Sequence, residues 1–474
     1  MVNKPTMSRR PPSVRKSRVV LHPSNQPSLN EYTATSYSTI SFQIAQQPAF
    51  LDTATFRLNG EFYLEDATNA LPQNNPGTGN PPPPAANNGA TTNPSVGISS
   101  LFQEINWSTL NGRNIECLRD ANRYLATARP SMNSSLELAN GCGNQDPMRA
   151  DKFILNQRTA NVKVQFSVPI ECGLLDAGGK GTYLNISSKG FHGLQLDILL
   201  TRVEQAISGY YFYKGTQPGD KGVVNATGAP YSYVLKNLTL SYNLLRPDER
   251  TFMALPSSGM LEYNTISSLH STLLSSDQTV NLRFGAQNVA SVSHSILPSI
   301  HVNNVTEDSL AISPPTKLDA GSNEVVANIK QLRYMRAGVL FPYNFALNSQ
   351  DQVSLGNQSN HSPQAELMKP ALNSVSLYEN GHNKFSPLSN IGLNSKNALC
   401  GGGPEPLASG PDPSSVYLLG VPMGVDGQGV NFSNREYALR IESELDDILA
   451  NSLFTFARVK NVAQYSVTGI QIME

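Results

Sequence analysis

Val162-Lys163-Val164-Gln165-Phe166-Ser167-Val168-Pro169-Ile170 places an apolar side chain at every second position, with Lys163, Gln165 and Ser167 between them. A period of two sets one face of a β-strand on a core and turns the other outward. The same rhythm runs through Ile40, Phe42 and Ile44, and through Phe56, Leu58, Phe62 and Leu64 across Gly60. It returns at Leu194, Leu196, Ile198 and Leu200, and at Leu238, Leu240, Tyr242 and Leu244. The second half repeats it more weakly, in Val280, Leu282 and Phe284, then Ala290, Val292 and Ile296, then Leu453, Thr455, Ala457 and Val459. No βαβ rhythm recurs, which argues against a doubly wound sheet. Two segments, Glu116 to Ala128 and Glu442 to Ala450, read as short helices that connect sheets.

Within this pattern one hairpin is legible. Ile105 to Leu110 runs into Asn111-Gly112 and out through Arg113-Asn114-Ile115. Asn-Gly accepts the positive φ angles of a type I′ turn, so the flanking strands pair directly. The single tryptophan, Trp107, lies in this hairpin as a packing residue. Long Asn-, Gly- and Pro-rich loops separate the strands at 67–97, 348–374 and 380–415, and loops of this length carry function or are disordered. Arg246-Pro247-Asp248-Glu249-Arg250 ends a strand, which puts a domain boundary near residue 255. The division is then 1–30, 31–255 and 256–474.

Length and charge narrow the class. A chain of 474 residues accommodates two β-sandwiches, each able to bury its own core. The net charge is -1 and only 15% of residues are charged, so no global basic field draws nucleic acid. Lys4, Arg9, Arg10, Arg15, Lys16 and Arg18 nevertheless concentrate positive charge near the N-terminus with no acidic residue among them. This arm is either a solvated tail or a contact for DNA, an anionic surface or a neighbouring subunit. No apolar signal-peptide core and no membrane-length apolar run is present.

Enzymatic chemistry finds no foothold. Gly173 to Gly181 has the look of a phosphate loop, but the first glycine is misplaced and Gly181 occupies the position of the metal-binding hydroxyl residue. Gly401-Gly402-Gly403 lacks dinucleotide-binding spacing. Cys117, Cys142, Cys172 and Cys400 form no CxxC pair, and the histidines at 22, 192, 270, 294, 301, 361 and 382 have no metal-ligand spacing. The reading is a non-enzymatic protein with no catalytic residue, metal or cofactor.

Ser99-Ser100-Leu101-Phe102-Gln103-Glu104-Ile105, the Asn111-Gly112 turn, and Ile115-Glu116 through Asn122-Arg123-Tyr124 resemble the strand, turn and helix of double jelly-roll major capsid proteins. Adenovirus-like, polinton-like and large eukaryotic double-stranded DNA viruses share that lineage. Tyr231 to Leu240 resembles the strand closing the first jelly roll, Arg246-Pro247-Asp248 the exit to the second, and Arg333 to Phe345 is similar to polinton-like capsid sequences. The resemblance implies an all-β chain of two consecutive eight-stranded jelly-roll sandwiches with long loops and a few short helices. It further implies a homotrimeric, pseudo-hexagonal capsomer of an icosahedral shell, meeting neighbouring capsomers, penton and minor capsid proteins. The loops would form outward towers or intersubunit clamps, and the basic arm would face the interior, toward DNA, an internal membrane or minor capsid proteins. Localisation would be the virion, assembled inside the host cell and not secreted through a signal peptide.

The two halves do not align with one another, so the second jelly roll rests on resemblance and length. One sandwich followed by a different β domain stays open. The alternative from another class is a β-sandwich virion-surface protein that binds a receptor or glycan through its loops.

Overall fold

The computed structural model describes residues 15–66, 88–92, 96–132, 164–175, 183–187, 192–211, 231–247, 258–303, 309–310, 316–318, 320–322, 324–327, 329–342, 347–348, 419–424, 429–433, 435–445, 449–466 and 469–473. Among the described residues, eight strands form the main paths of the two sheets of the first half: β1 (Arg15–Leu21), β2 (Thr39–Ile44), β3 (Phe50–Asp66), β4 (Phe102–Thr109), β5 (Asn114–Arg119), β6 (Val164–Pro169), β7 (Leu194–Leu200) and β8 (Tyr231–Arg246), with short strands such as Glu31–Tyr32 and Tyr183–Asn185 beside them. Eight form those of the second: β9 (Gly259–Leu273), β10 (Asp277–Asn281), β11 (Val289–Pro298), β12 (Ile329–Arg336), β13 (Val339–Leu340), β14 (Leu419–Pro422), β15 (Tyr437–Ser443) and β16 (Asn451–Ser466), with Leu347–Asn348 and Gly469–Met473 pairing beside β12 and β16.

Their pairing is the same in both halves. One sheet of the first half has the order β1-β8-β3-β6 and the other β2-β7-β4-β5. In the second half the orders are β9-β16-β11-β14 and β10-β15-β12-β13. Counted from the start of each half, both follow 1-8-3-6 against 2-7-4-5, with every pair antiparallel. This is the jelly roll, twice over.

The alternation seen in the sequence is the inward face of these strands. Ile40, Phe42, Leu58, Phe62, Val168, Leu196, Ile198, Leu240 and Leu244 are all buried. Phe56 of β3 meets the edge of Trp107 of β4 at 5.6 Å and stacks on Tyr242 of β8 at 4.9 Å, so one aromatic cluster joins the two sheets. In the second half Phe432 stacks on Tyr437 at 3.7 Å and meets the edge of Phe284 at 6.0 Å. His294 of β11 also lies in that core, fully buried, with Nδ1 2.9 Å from Thr455 Oγ1 and the ring 5.7 Å from Tyr334 of the facing sheet. Burial pushes its pKa down to about 3.

Four sequence expectations are corrected. The β4–β5 hairpin exists, but its turn is a three-residue loop. Gly112 N–H donates to Thr109 C=O, Thr109 N–H donates to Arg113 C=O, and within the turn only Gly112 has positive φ, at 86°. That is a type I turn closed by a left-handed glycine, which keeps Trp107 opposite Glu116. Glu116 to Arg119 is strand, and the helix α1 (Ala121–Met132) begins after Asp120, whose φ of 49° breaks the strand direction. Glu442 and Ser443 finish β15, because Tyr437–Ser443 is hydrogen-bonded on both sides by β10 and β12. Sheet pairing overrides the helical propensity of both segments. Finally, Arg15–Leu21, read as part of the arm, pairs residue for residue with Leu240–Arg246. Val19 and Leu21 pack on the first core, so the sandwich begins at residue 15.

Antiparallel order also sorts the connections. Within each sandwich the links from odd to even strands leave at one end and those from even to odd strands at the other. The strand ends flanking 67–101, 120–163 and 201–230 therefore share one end, and Asn88–Thr92 pairs with Ile207–Tyr211. The opposite end has the tight links 45–49 and 110–113 together with the longer link 170–193. In the second sandwich the strand ends flanking 299–328 and 341–418 are at the long-loop end, and those flanking 282–288, 337–338 and 423–436 at the other.

Phe56→Ala removes the ring joining both sheets and is expected to cost about 3–5 kcal/mol, read as a lower denaturation midpoint in the fluorescence of the sole tryptophan. His294 gives a pH signature. The unfolded imidazole titrates near ~6.5 while the folded one stays neutral, so the unfolded chain binds the proton first as pH falls. Stability from this residue is present above about pH 6.5 and is lost progressively toward pH ~3, by as much as roughly 4 kcal/mol. In His294→Asn the slope of denaturation midpoint against pH is expected to flatten across that window; an unchanged slope would refute the assignment.

Candidate assembly surfaces

Two surfaces stand out, one between the lobes and one left open; among the described residues there is no cluster of three or more metal-ligating side chains. Among the described residues no helix is long and apolar enough to cross a membrane.

The first surface joins the two sandwiches. The sheet β9-β16-β11-β14 turns its outward face onto the first half, and Tyr263, Ile266, Phe454, Phe456 and Ala463 belong to the same apolar cluster as the first core. Tyr124 of α1 meets Phe456 edge-on at 5.6 Å. Arg123, one residue earlier, lies 3.9 Å above the Phe454 ring and donates from Nη1 to Ser309 C=O at 2.6 Å. His270 of β9 stacks on Phe454 at 4.7 Å; burial and then the Arg123 charge lower its pKa, against the pull of Asp120. Ser268 Oγ donates to Asp120 Oδ2 at 2.8 Å, and Tyr263 OH donates to Ile115 C=O at 2.7 Å.

Glu116 is the buried polar centre of this junction. Its carboxylate accepts the amides of Gly173 at 2.8 Å and Leu174 at 2.7 Å. Burial raises its pKa, opposed by those two amides and by hydrogen bonds from the Thr265 and Cys172 side chains. Thr265 belongs to β9, so the clamp spans both sandwiches. Trp107 Nε1 in turn donates to Cys172 Sγ at 3.1 Å. Gly173 is required here: a Cβ would lie 1.4 Å from Asn264 C=O, so the second sandwich's backbone occupies the space of any side chain.

The second surface is the outward face of β1-β8-β3-β6, which carries part of the basic arm. Lys4, Arg9 and Arg10 lie outside the described residues, as do most of the long loops at 67–97, 348–374 and 380–415. Arg15, Lys16 and Arg18 are in the edge strand β1. Lys16 Nζ is 3.4 Å from Asp52 Oδ2, and Arg18 Nη2 donates to Ser241 Oγ at 3.3 Å. Next to them Arg57 donates from Nε to Ser167 Oγ at 2.9 Å and from Nη2 to Ser167 C=O, while Asn59 bridges Ser241 and Ser167. Burial, then the nearby Arg18 charge, lowers the Arg57 pKa. The outward face of β10-β15-β12-β13 differs. There Asp277, Arg440, Glu442 and Arg333 alternate in sign, with Arg333 3.2 Å and Arg440 3.6 Å from Glu442, and Arg440 also forks onto Asp277.

Sequence reading missed Glu116, Arg123 and Gly173 as a unit. Its one available signal was a polar Glu116 between Ile115 and Leu118, which marks a strand with a buried charge only once its partner is known.

Comparison with known proteins points one way. No family model matches the sequence, and no curated protein sequence matches it. Solved structures do match: VP54 of the virus PBCV-1, fitted into the virophage Sputnik, at 13% identity and TM-score 0.54 over 99% of this chain and 98% of that one. The cryo-EM structure of the Sputnik virophage gives 12% identity and TM-score 0.55 over 100% and 91%. The mavirus major capsid protein gives 11% identity and TM-score 0.52 over 96% and 90%. The chain thus shares the whole two-sandwich fold of these proteins, not half of it.

Gly173→Ala is expected to cost at least about 3 kcal/mol and to split a single calorimetric unfolding transition into two, as the sandwiches lose their common seat. One undivided transition at the wild-type temperature would show that the junction does not couple them.

Proposed function

We propose that this chain is the major capsid protein of an icosahedral double-stranded DNA virus, a structural protein that acts by burying surface and catalyses no reaction. One observation carries the reading: two sandwiches of identical strand order are fixed side by side through a buried junction. The Faustovirus and mavirus major capsid proteins have that fold. A block of two similar lobes is what a shell of sixfold outline needs from a threefold oligomer, since three chains supply six lobes. The long loops and strong pairing suit it: the sheets give stiffness, and most of the long connections leave from one end.

Polarity follows from the same topology. β1 starts at the short-turn end, so the chain before Arg15 leaves there, and Lys4, Arg9 and Arg10 would emerge opposite the long loops. We place the short-turn end toward the particle interior, where that arm meets DNA, an internal membrane or minor capsid proteins. Arg15, Lys16 and Arg18 act from the strand instead. The loop end faces outward or toward neighbouring capsomers and penton proteins, and the protein resides in the virion shell after assembly within the host cell.

Light scattering and negative-stain microscopy of the purified full chain test this. The expected result is a particle of three times the 51.3 kDa chain mass with a hexagonal outline, or spontaneous shells. A uniform monomer at every concentration and salt level tried would overturn it.

A further inference from the structure

Two consecutive residues of β16 each hold a histidine, one on either face of the sheet. Phe454 turns outward to the first sandwich, and His270 of the paired strand β9 stacks on its ring at 4.7 Å. The Arg123 guanidinium lies over the same ring at 3.9 Å, so α1 is seated at this residue. Thr455 turns inward, and its Oγ1 is 2.9 Å from Nδ1 of His294 on the neighbouring strand β11. His294 is fully buried, and its Nε2 has no hydrogen-bond partner among the described residues. Leu419 pairs with it on β14, and Tyr334 of β12 is the titratable side chain that faces it across the core. Protonation obliges both imidazole nitrogens to donate, which would leave a charged N–H with nothing to receive it inside an apolar core.

We propose that His270 and His294 form an acid-sensitive latch, in which proton uptake loosens the Phe454–Thr455 segment and unseats the first sandwich from the second. At the rim of the seat, His270 keeps contact with solvent and takes up its proton directly. An imidazolium there would share the Phe454 ring with the Arg123 cation, and like charges repel. Asp120, held by Ser268, pulls the other way. Burial and the Arg123 charge outweigh it, so the pKa of His270 lies below its ordinary value. Burial alone has the same effect at His294. In both cases the loosened chain binds the proton more readily than the closed one. Stability from the latch is therefore present above about pH 6.5 and falls as the pH drops. Glu116 acts in the opposite sense: burial raises its pKa, so the closed junction gains from acid at that point. The latch is thus read from the difference between wild type and histidine variants. Its consequence for a particle rests on the capsid reading: the building block holds its shape at neutral pH and loosens in an acidified compartment.

The experiment is calorimetry of the purified full chain at about pH 8 and about pH 5. The proteins are wild type, H270Q, H294N, H270Q/H294N and the control H22Q, at an exposed loop histidine. Circular dichroism at the higher pH verifies that each variant folds; H270Q, at the rim, carries the test if H294N does not. Wild type is expected to melt in one transition at the higher pH and in two at the lower, the second sandwich first. Fluorescence of Trp107, in the first sandwich, should follow only the later one. With the His294 pKa held at about 3, the loosening equilibrium should rise about 30-fold between the two conditions. H270Q and H294N should each move the splitting to lower pH, and the double variant should melt in a single transition at both. H22Q should match wild type. No splitting in wild type, or equal splitting in wild type and every folded variant, would overturn the latch. Acid-split chains whose assembled particles stay intact at the same pH would overturn its role in the shell. A chain that never assembles would overturn the capsid reading and not the latch.

Discussion

The sheet β9-β16-β11-β14 must be covered on both faces, and most of the architecture answers to that requirement. All ten residues of β11 are buried, inward and outward alike. Val292 and Ile296 belong to the second core, whereas Ser291, Ser293 and Ser295 turn outward toward the first sandwich. Small side chains on that outward face let another surface approach closely, and Phe454 and Phe456 on neighbouring β16 supply the apolar area that the serines do not. An antiparallel sheet usually leaves one face to water; this one does not, so the second sandwich is completed by the first.

Polar chemistry at the junction follows from the same need. A buried carboxylate is costly unless its lone pairs are filled. Glu116 has two backbone amides and two side-chain donors, drawn from two separate segments, 172–174 and β9. Arg123 is equally buried, held by a carbonyl and an aromatic face. An apolar seam could slide by a residue and still bury similar area. Glu116 and the Gly173–Asn264 approach allow one register only, because any slip breaks the Thr265–Glu116 hydrogen bond or collides backbone with backbone. The junction thus contributes orientation more than net stability, and fixed orientation is what a repeating shell demands of its building block.

How much of this was legible in sequence depended on whether a face was decided locally. Ile40, Phe42 and Ile44, or Leu194 through Leu200, announce their strands because one side is core and the other is not. Ser291-Val292-Ser293-His294-Ser295-Ile296 alternates just as cleanly, yet its polar side is buried by a contact hundreds of residues away in the chain, which no local pattern encodes. Glu116 to Arg119 and Glu442 to Ser443 have helix-forming side chains and become strand through pairing with Trp107, Asp277 and Gln331. Arg18 looked like tail because charge dominates its neighbourhood; the alternation of Ser17, Val19 and Leu21 was the stronger signal. The halves could not be aligned because the fold constrains strand order and inward apolarity, and neither requires the same residues.

That tolerance has a direction. Since the pairing is antiparallel throughout each sandwich, every odd-to-even connection falls at one end, and loop length there adds only logarithmically to the entropy of closure. The strands flanking 341–418 keep their pairing across a long connection, whereas at the other end Gly112 and the link 337–338 leave no such freedom, and 170–193 is the longest link there. A sandwich built this way has a conservative end and a permissive end before it meets any partner. The polarity of a particle made from it would therefore be inherited from strand order, since β1 begins and β8 ends at the conservative end. Inside and outside would need no separate code.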